Sequence, residues 1–159
     1  MRTSKTKFSI LPRALQLGLL SLLLLSLNNC ISQDSRQLAP NVSEPRVAKM
    51  RSFYVRKHAA DDYQLAEDLV SQLLKMGYRV TSGFEASSPS KVDAVITYTD
   101  DWHWDITPYL FSLDAQLREP GSDFILATSK ITRSSLVRNS QEEMVRQTLT
   151  KLLKPGSEE

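Results

Sequence analysis

The chain has 159 residues, 20 of them Lys or Arg and 18 Asp or Glu, with 41% hydrophobic and 8% aromatic residues, enough apolar material for one folded domain. Four of the basic residues, Arg2, Lys5, Lys7 and Arg13, fall in the first thirty positions; without them 16 basic residues face 18 acidic ones, a balance near −2. That leaves no electrostatic case for nucleic acid, five glycines with no glycine-rich phosphate loop speak against a nucleotide cradle, and a single cysteine excludes an intramolecular disulfide.

Residues 1–29 read as an export signal. A basic start free of acids precedes the apolar run Ala14 to Leu27, which is short for a membrane span of about 20 residues. Cys30 follows directly, with Leu27 at the third position before it. This arrangement resembles the acylation site of bacterial lipoproteins, although Asn28 and Asn29 depart from the small residues usual there. The resemblance implies cleavage before Cys30, a lipid on Cys30 and, because Ile31 rather than Asp follows, delivery to the periplasmic side of the outer membrane.

From Ile31 to Ala48 the chain is polar, carries Pro40 and Pro45 and has no apolar period, so 30–48 is expected to be an acylated, flexible tether. A single domain should then occupy 49–155, with 156–159 as a tail. Phe53 and Val55 alternate with polar neighbours in a first strand. Asp61 and Gln64 form a candidate capping box for a helix carrying Leu65, Leu69, Leu73 and Met76, which Gly77 should close. A short strand at Tyr78 to Thr81 follows, then a loop over 83–91.

Between Asp93 and Leu117 the period is two. Ala94, Ile96, Tyr98, Trp102, Trp104 and Ile106 share one face of a strand; beyond Thr107-Pro108 the alternation resumes with Tyr109, Phe111, Leu113, Ala115 and Leu117. The pattern predicts a long hairpin. Asp123 to Thr132 reads as a fifth strand with apolar residues on both faces. Ser140 and Glu143 open a last helix with Met144, Val145, Leu149, Leu152 and Leu153 on one side, ended by Pro155 and Gly156. The order β-α-β-β-β-β-α predicts an α/β two-layer sandwich, a mixed and mostly antiparallel sheet with two helices on one face.

Chemistry-bearing residues are sparse. Asp101, His103 and Asp105 share a strand face and are acceptable metal ligands by type, but steps of about 6.7 Å along one strand spread them too widely to close a site unaided. No serine stands in a nucleophile elbow. Arg133 and Arg138 flank a short loop that could hold an anion or simply be a solvated turn. Trp102 and Trp104 either cap the core beneath the helices or, if the hairpin outruns them, form an exposed aromatic surface.

The residues Tyr98, Asp100, Trp102, Trp104, Asp105, Ile106 and Thr107, followed by Tyr109, Leu110, Leu113 and the run 135–138, resemble a group of small lipoproteins of Gram-negative bacteria. That likeness covers most of the mature domain and implies no activity. In plan, a small α/β domain on a lipid is loosely similar to accessory lipoproteins of envelope transport and assembly systems. The expectation is a non-enzymatic binding protein without cofactor or metal, meeting another envelope component through Trp102, Trp104, Asp105 and Tyr109. The alternatives are a carrier of a small hydrophobic ligand between helices and sheet and, behind it, a hydrolase built on Asp101, His103 and Asp105.

Overall fold

Alternating residues between Ala94 and Arg118 pair into an antiparallel hairpin, and the other strands add to its two edges. The computed structural model describes residues 32–84, 91–134 and 136–154. In chain order the elements are β1 (Ser32–Leu38), α1 (Glu44–Ala48), β2 (Ser52–Arg56), α2 (Leu65–Lys75), β3 (Arg79–Gly83), β4 (Ala94–Trp104), β5 (Pro108–Arg118), β6 (Ile125–Arg133) and α3 (Gln141–Leu153). One sheet runs in the order β1-β6-β5-β4-β2-β3; successive pairs from β1 to β4 are antiparallel, and β2 lies parallel to both β4 and β3. With α2 and α3 packed together on one face, this is the predicted two-layer α+β sandwich. Among the described residues no helix is long and apolar enough to cross a membrane. The leader with Cys30, the centre of the 83–91 loop and the last five residues lie outside the described residues.

The helices form where their end signals stand. The Asp61 carboxylate accepts from the backbone N–H groups of Leu65 and Ala66, both at 2.8 Å, so the aspartate caps α2 directly while Gln64 takes a left-handed conformation. At the other end Gly77, at φ +87°, lets Tyr78 N–H reach the Leu73 carbonyl and its own N–H the Leu74 carbonyl, closing α2 in a Schellman motif. Ser140 Oγ accepts from Glu143 N–H at 3.2 Å and caps α3. Leu65, Leu69 and Leu73 of α2 and Met144, Val145 and Leu149 of α3 meet Phe53, Ile96, Leu113 and Ile131 of the sheet in a closed core. Removing a side chain of that kind costs about 2–5 kcal/mol.

The stretch expected as a tether belongs to the domain. Residues 32–38 pair along their whole length with β6, from Ser32 opposite Arg133 to Leu38 opposite Ala127, and 44–48 form α1. Its polar composition hid the strand because β1 is an edge whose inward positions are charged. Asp34 pairs with the buried Arg133, and Arg36 pairs with Glu44 and donates to the Leu152 carbonyl in the last turn of α3. Val42, Val47 and Met50 close the core at the end opposite the β4–β5 turn, where Arg46 meets Glu119.

Two register shifts change which residues face the core. Phe111 is an extra residue of β5 opposite the step from Asp101 to Trp102, so Leu110 enters the core and Tyr109 and Phe111 turn to His103 on the open face, contrary to the regular alternation expected of them. Leu126 is likewise extra in β6 opposite Leu117 to Arg118, so Leu126 and Ala127 are both buried. On the open face the β5–β6 turn folds back, Asp123 pairing with Arg56 and Arg118 while Arg118 donates to Thr97 Oγ1.

Candidate functional site

The hairpin outruns its neighbours unequally, by about three residues beyond the β5–β6 pairing that ends at Ser112 opposite Thr132, in the row of Asp101, and by more beyond β2. Pairing of β2 with β4 stops at Val55 opposite Ile96, whereas β4 continues to Trp104, eight residues or about 26 Å further. Near its end Trp102 is half-buried: Tyr63, in the turn before α2, stacks on the indole at 3.7 Å with 19° between rings, and Nε1–H donates to Asp100 Oδ2 at 2.8 Å. Trp104, two residues on and paired with Pro108, is 77% exposed, and Ile106 in the three-residue turn is 88% exposed. The two tryptophans therefore divide between the roles open to them: Trp102 edges the core and Trp104 stands clear of it.

A second segment joins this tip. Arg138 donates to Asp105 Oδ2 at 2.6 Å and Thr107 Oγ1 at 3.4 Å, and its guanidinium lies 4.6 Å from the centre of the Tyr109 ring. That clamp ties Arg138 to the hairpin turn; just before it in sequence, Leu136 is 88% exposed and Val137 N–H donates to the Ser134 carbonyl. His103 meets the edge of the same Tyr109 ring, stacks flat on Phe111 at 4.0 Å, and has Asp101 Oδ2 3.4 Å from its Nε2. The result is an aromatic tip held by Arg138, His103 and Tyr63, with an exposed apolar crown of Trp104 and Ile106.

Of the residues singled out from sequence, Trp104, Asp105 and Tyr109 come together here and Trp102 supports them from below. Asp101, His103 and Asp105 do not converge, because Asp105 is turned to Arg138; among the described residues no three His, Cys, Asp or Glu side chains are placed to share a metal ion. The two arginines also part: Arg133 is buried against Asp34 and Gln147, and Arg138 clamps the tip. Between helices and sheet, Leu69, Leu73, Ile96, Leu113, Met144 and Leu149 are fully buried in one cluster. Tyr63 shows no period linking it to the hairpin, so its stacking on Trp102 is not marked in the sequence.

At the root of the hairpin lies a polar cluster. Tyr98 donates its hydroxyl to Asp61 Oδ2 at 3.0 Å, and His58 packs edge-on against the Tyr98 ring with Nε2 at 2.7 Å from the Tyr98 carbonyl. Burial, with the Asp61 carboxylate beside it, pushes the phenol well above its ordinary range. A phenol so held ties β4 to the cap of α2 and has no proton to give near neutral pH.

No family model matches the chain, and no curated protein does. Its fold is similar to that of PelC from Paraburkholderia phytofirmans in two solved dodecamer structures. One, in space group P6, aligns at a TM-score of 0.56 with 11% identity, covering 77% of this chain and 99% of that one. The other, a leucine-to-methionine variant in space group C2, aligns at 0.53 with 11% identity, covering 79% and 100%. At such identity the likeness is one of fold.

Proposed function

We propose that this chain is a non-enzymatic binding or accessory protein of the bacterial envelope, held through a lipid on Cys30 to the periplasmic side of the outer membrane, and that it engages another envelope component through the hairpin tip. The observation that carries the reading is the exposure of Trp104 and Ile106 at the end of a hairpin that Arg138 and the Tyr63–Trp102 stack hold in place. An isolated exposed apolar residue needs no explanation, but a braced cluster at the furthest point of a sheet is the arrangement of a contact surface. Catalysis has no counterpart support, since the polar residues around the tip are engaged with one another. The fold shared with PelC, a protein solved as a dodecamer, agrees with a role exerted through surfaces.

Two measurements test this. A clickable fatty acid fed to the native host should label the chain and leave Cys30→Ser unlabelled. Trp104→Ala, with wild-type circular dichroism, should lose the envelope material that co-isolates after crosslinking; removal of a central tryptophan anchor weakens binding by about 2 kcal/mol, roughly thirty-fold. Unchanged co-isolation with both Trp104→Ala and Ile106→Ala would sink the proposal.

A further inference from the structure

The register of the sheet says which way the tip points relative to the point of attachment. Gln33 of β1 pairs with Thr132, Thr132 with Ser112, and Ser112 with Asp101, so these four residues form one row across β1, β6, β5 and β4. β1 runs away from the hairpin turn, and Ser32 opposite Arg133 is its first residue. Its chain therefore enters the sheet at the tip end. Cys30 precedes Ser32 by two residues in the sequence, a contour of at most about 8 Å. Trp104 stands three residues beyond Asp101 in the same row, about 10 Å further along the strand and three strand spacings, about 14 Å, to the side.

An anchor at Cys30 with no slack behind it thus brings the crown of Trp104 and Ile106 to the surface that holds the lipid. From this we infer that the crown seats in the interface of the bilayer itself, so that the domain stands on the membrane on two feet, the acyl chains and the aromatic tip. The inference rests on the tethered-binding reading above and names the component the tip meets. The chemistry of the crown agrees: indole prefers the headgroup level, aliphatic side chains reach just below it, and an acyl anchor gains most from a second apolar contact. The charges named near the tip, Asp100, Asp101 and Asp105 against Arg138, leave an excess of two acids and no basic cluster to seek anionic lipid, so the contact is apolar. The opposite end of the sheet, with the Arg46–Glu119 pair, then faces away from the membrane.

The test uses the full acylated chain carrying Trp102→Phe, which leaves Trp104 as its only tryptophan, reconstituted into phosphatidylcholine vesicles with and without phosphatidylglycerol. Phosphatidylcholine brominated high on its acyl chains should quench most of the Trp104 emission, aqueous acrylamide should quench little, and phosphatidylglycerol should change neither. A control chain with Trp102→Phe, Trp104→Phe and Ser122→Trp, its indole at the far end of the sheet, should show the reverse. Trp104 quenched by acrylamide and untouched by brominated lipid overturns the inference; if photo-crosslinking at position 104 in cells still yields a protein adduct, the tethered-binding reading stands, and if it yields nothing both fall. Protection from both quenchers places another protein surface, including a second copy of this chain, over the crown and equally overturns seating in lipid.

Discussion

Asp93 and Asp114 hold carboxylates whose surroundings act in opposite directions. Asp93 accepts from Arg51 N–H at 2.8 Å and from Ser52 N–H and Oγ–H at 2.9 Å each, which holds its carboxyl below the usual range. A lowered native value means the ionised carboxylate stabilises the fold above the unfolded pKa of about 3.9 and that this is lost as pH falls through the native value. Asp114 is raised by burial, with Lys130 across the strand pair only partly offsetting it. Here the sign reverses: the protonated form favours the fold, and stability drops as pH rises from the unfolded value through the native one. Denaturant midpoints across pH should therefore show Asp93→Asn losing stability at neutral pH and approaching wild type in acid, and Asp114→Asn gaining stability at neutral pH with the gain fading in acid. At the hairpin root, Tyr98→Phe removes a hydrogen bond to a charged acceptor that also caps α2 and should cost about 1.5 kcal/mol in urea unfolding.

Among the elements, β1 is the one whose behaviour separates this structure from a flexible tether. Its backbone is paired from Ser32 to Leu38, and its charged inward side chains are tied to Arg133, Glu44 and the end of α3. Hydrogen exchange should protect amides in 32–38 to a degree comparable with β6; exchange at the unstructured rate would contradict the pairing. Arg133→Ala strips Asp34 of its buried partner and should destabilise by about 3 kcal/mol, chiefly by releasing this strand. By contrast Arg138→Ala breaks an exposed pair with Asp105 and should change global stability by no more than about 1 kcal/mol while loosening the crown. The helices and the hairpin were legible because period, Asp61, Gly77 and Ser140 agree on where each begins and ends. The edge strand was not, because its inward positions are charged and its partner lies a hundred residues away. Nor were the shifts at Phe111 and Leu126, since one extra residue in a strand leaves no mark on composition yet exchanges the faces on which Leu110, Tyr109 and Phe111 lie.

At the scale of the whole molecule, the sheet fixes the distance between the entry of the chain at Ser32 and the exposed tip, which in the proposed reading are the anchored end and the contact surface. The aromatic character of the tip was plain in the sequence; its division into a supporting Trp102 and an exposed Trp104 depends on Tyr63, and its place beside the chain's point of entry depends on β1. The tethered binding role proposed above calls for a rigid distance between two points. The most direct measurement is site-specific photo-crosslinking in intact native cells, with benzoylphenylalanine at position 104 compared with position 122 at the far end of the sheet. The account predicts an adduct with an envelope component from position 104, identifiable as lipid by mass, and no such lipid adduct from position 122. Silence at 104 together with adducts at 122 would place the contact surface at the wrong end and contradict it.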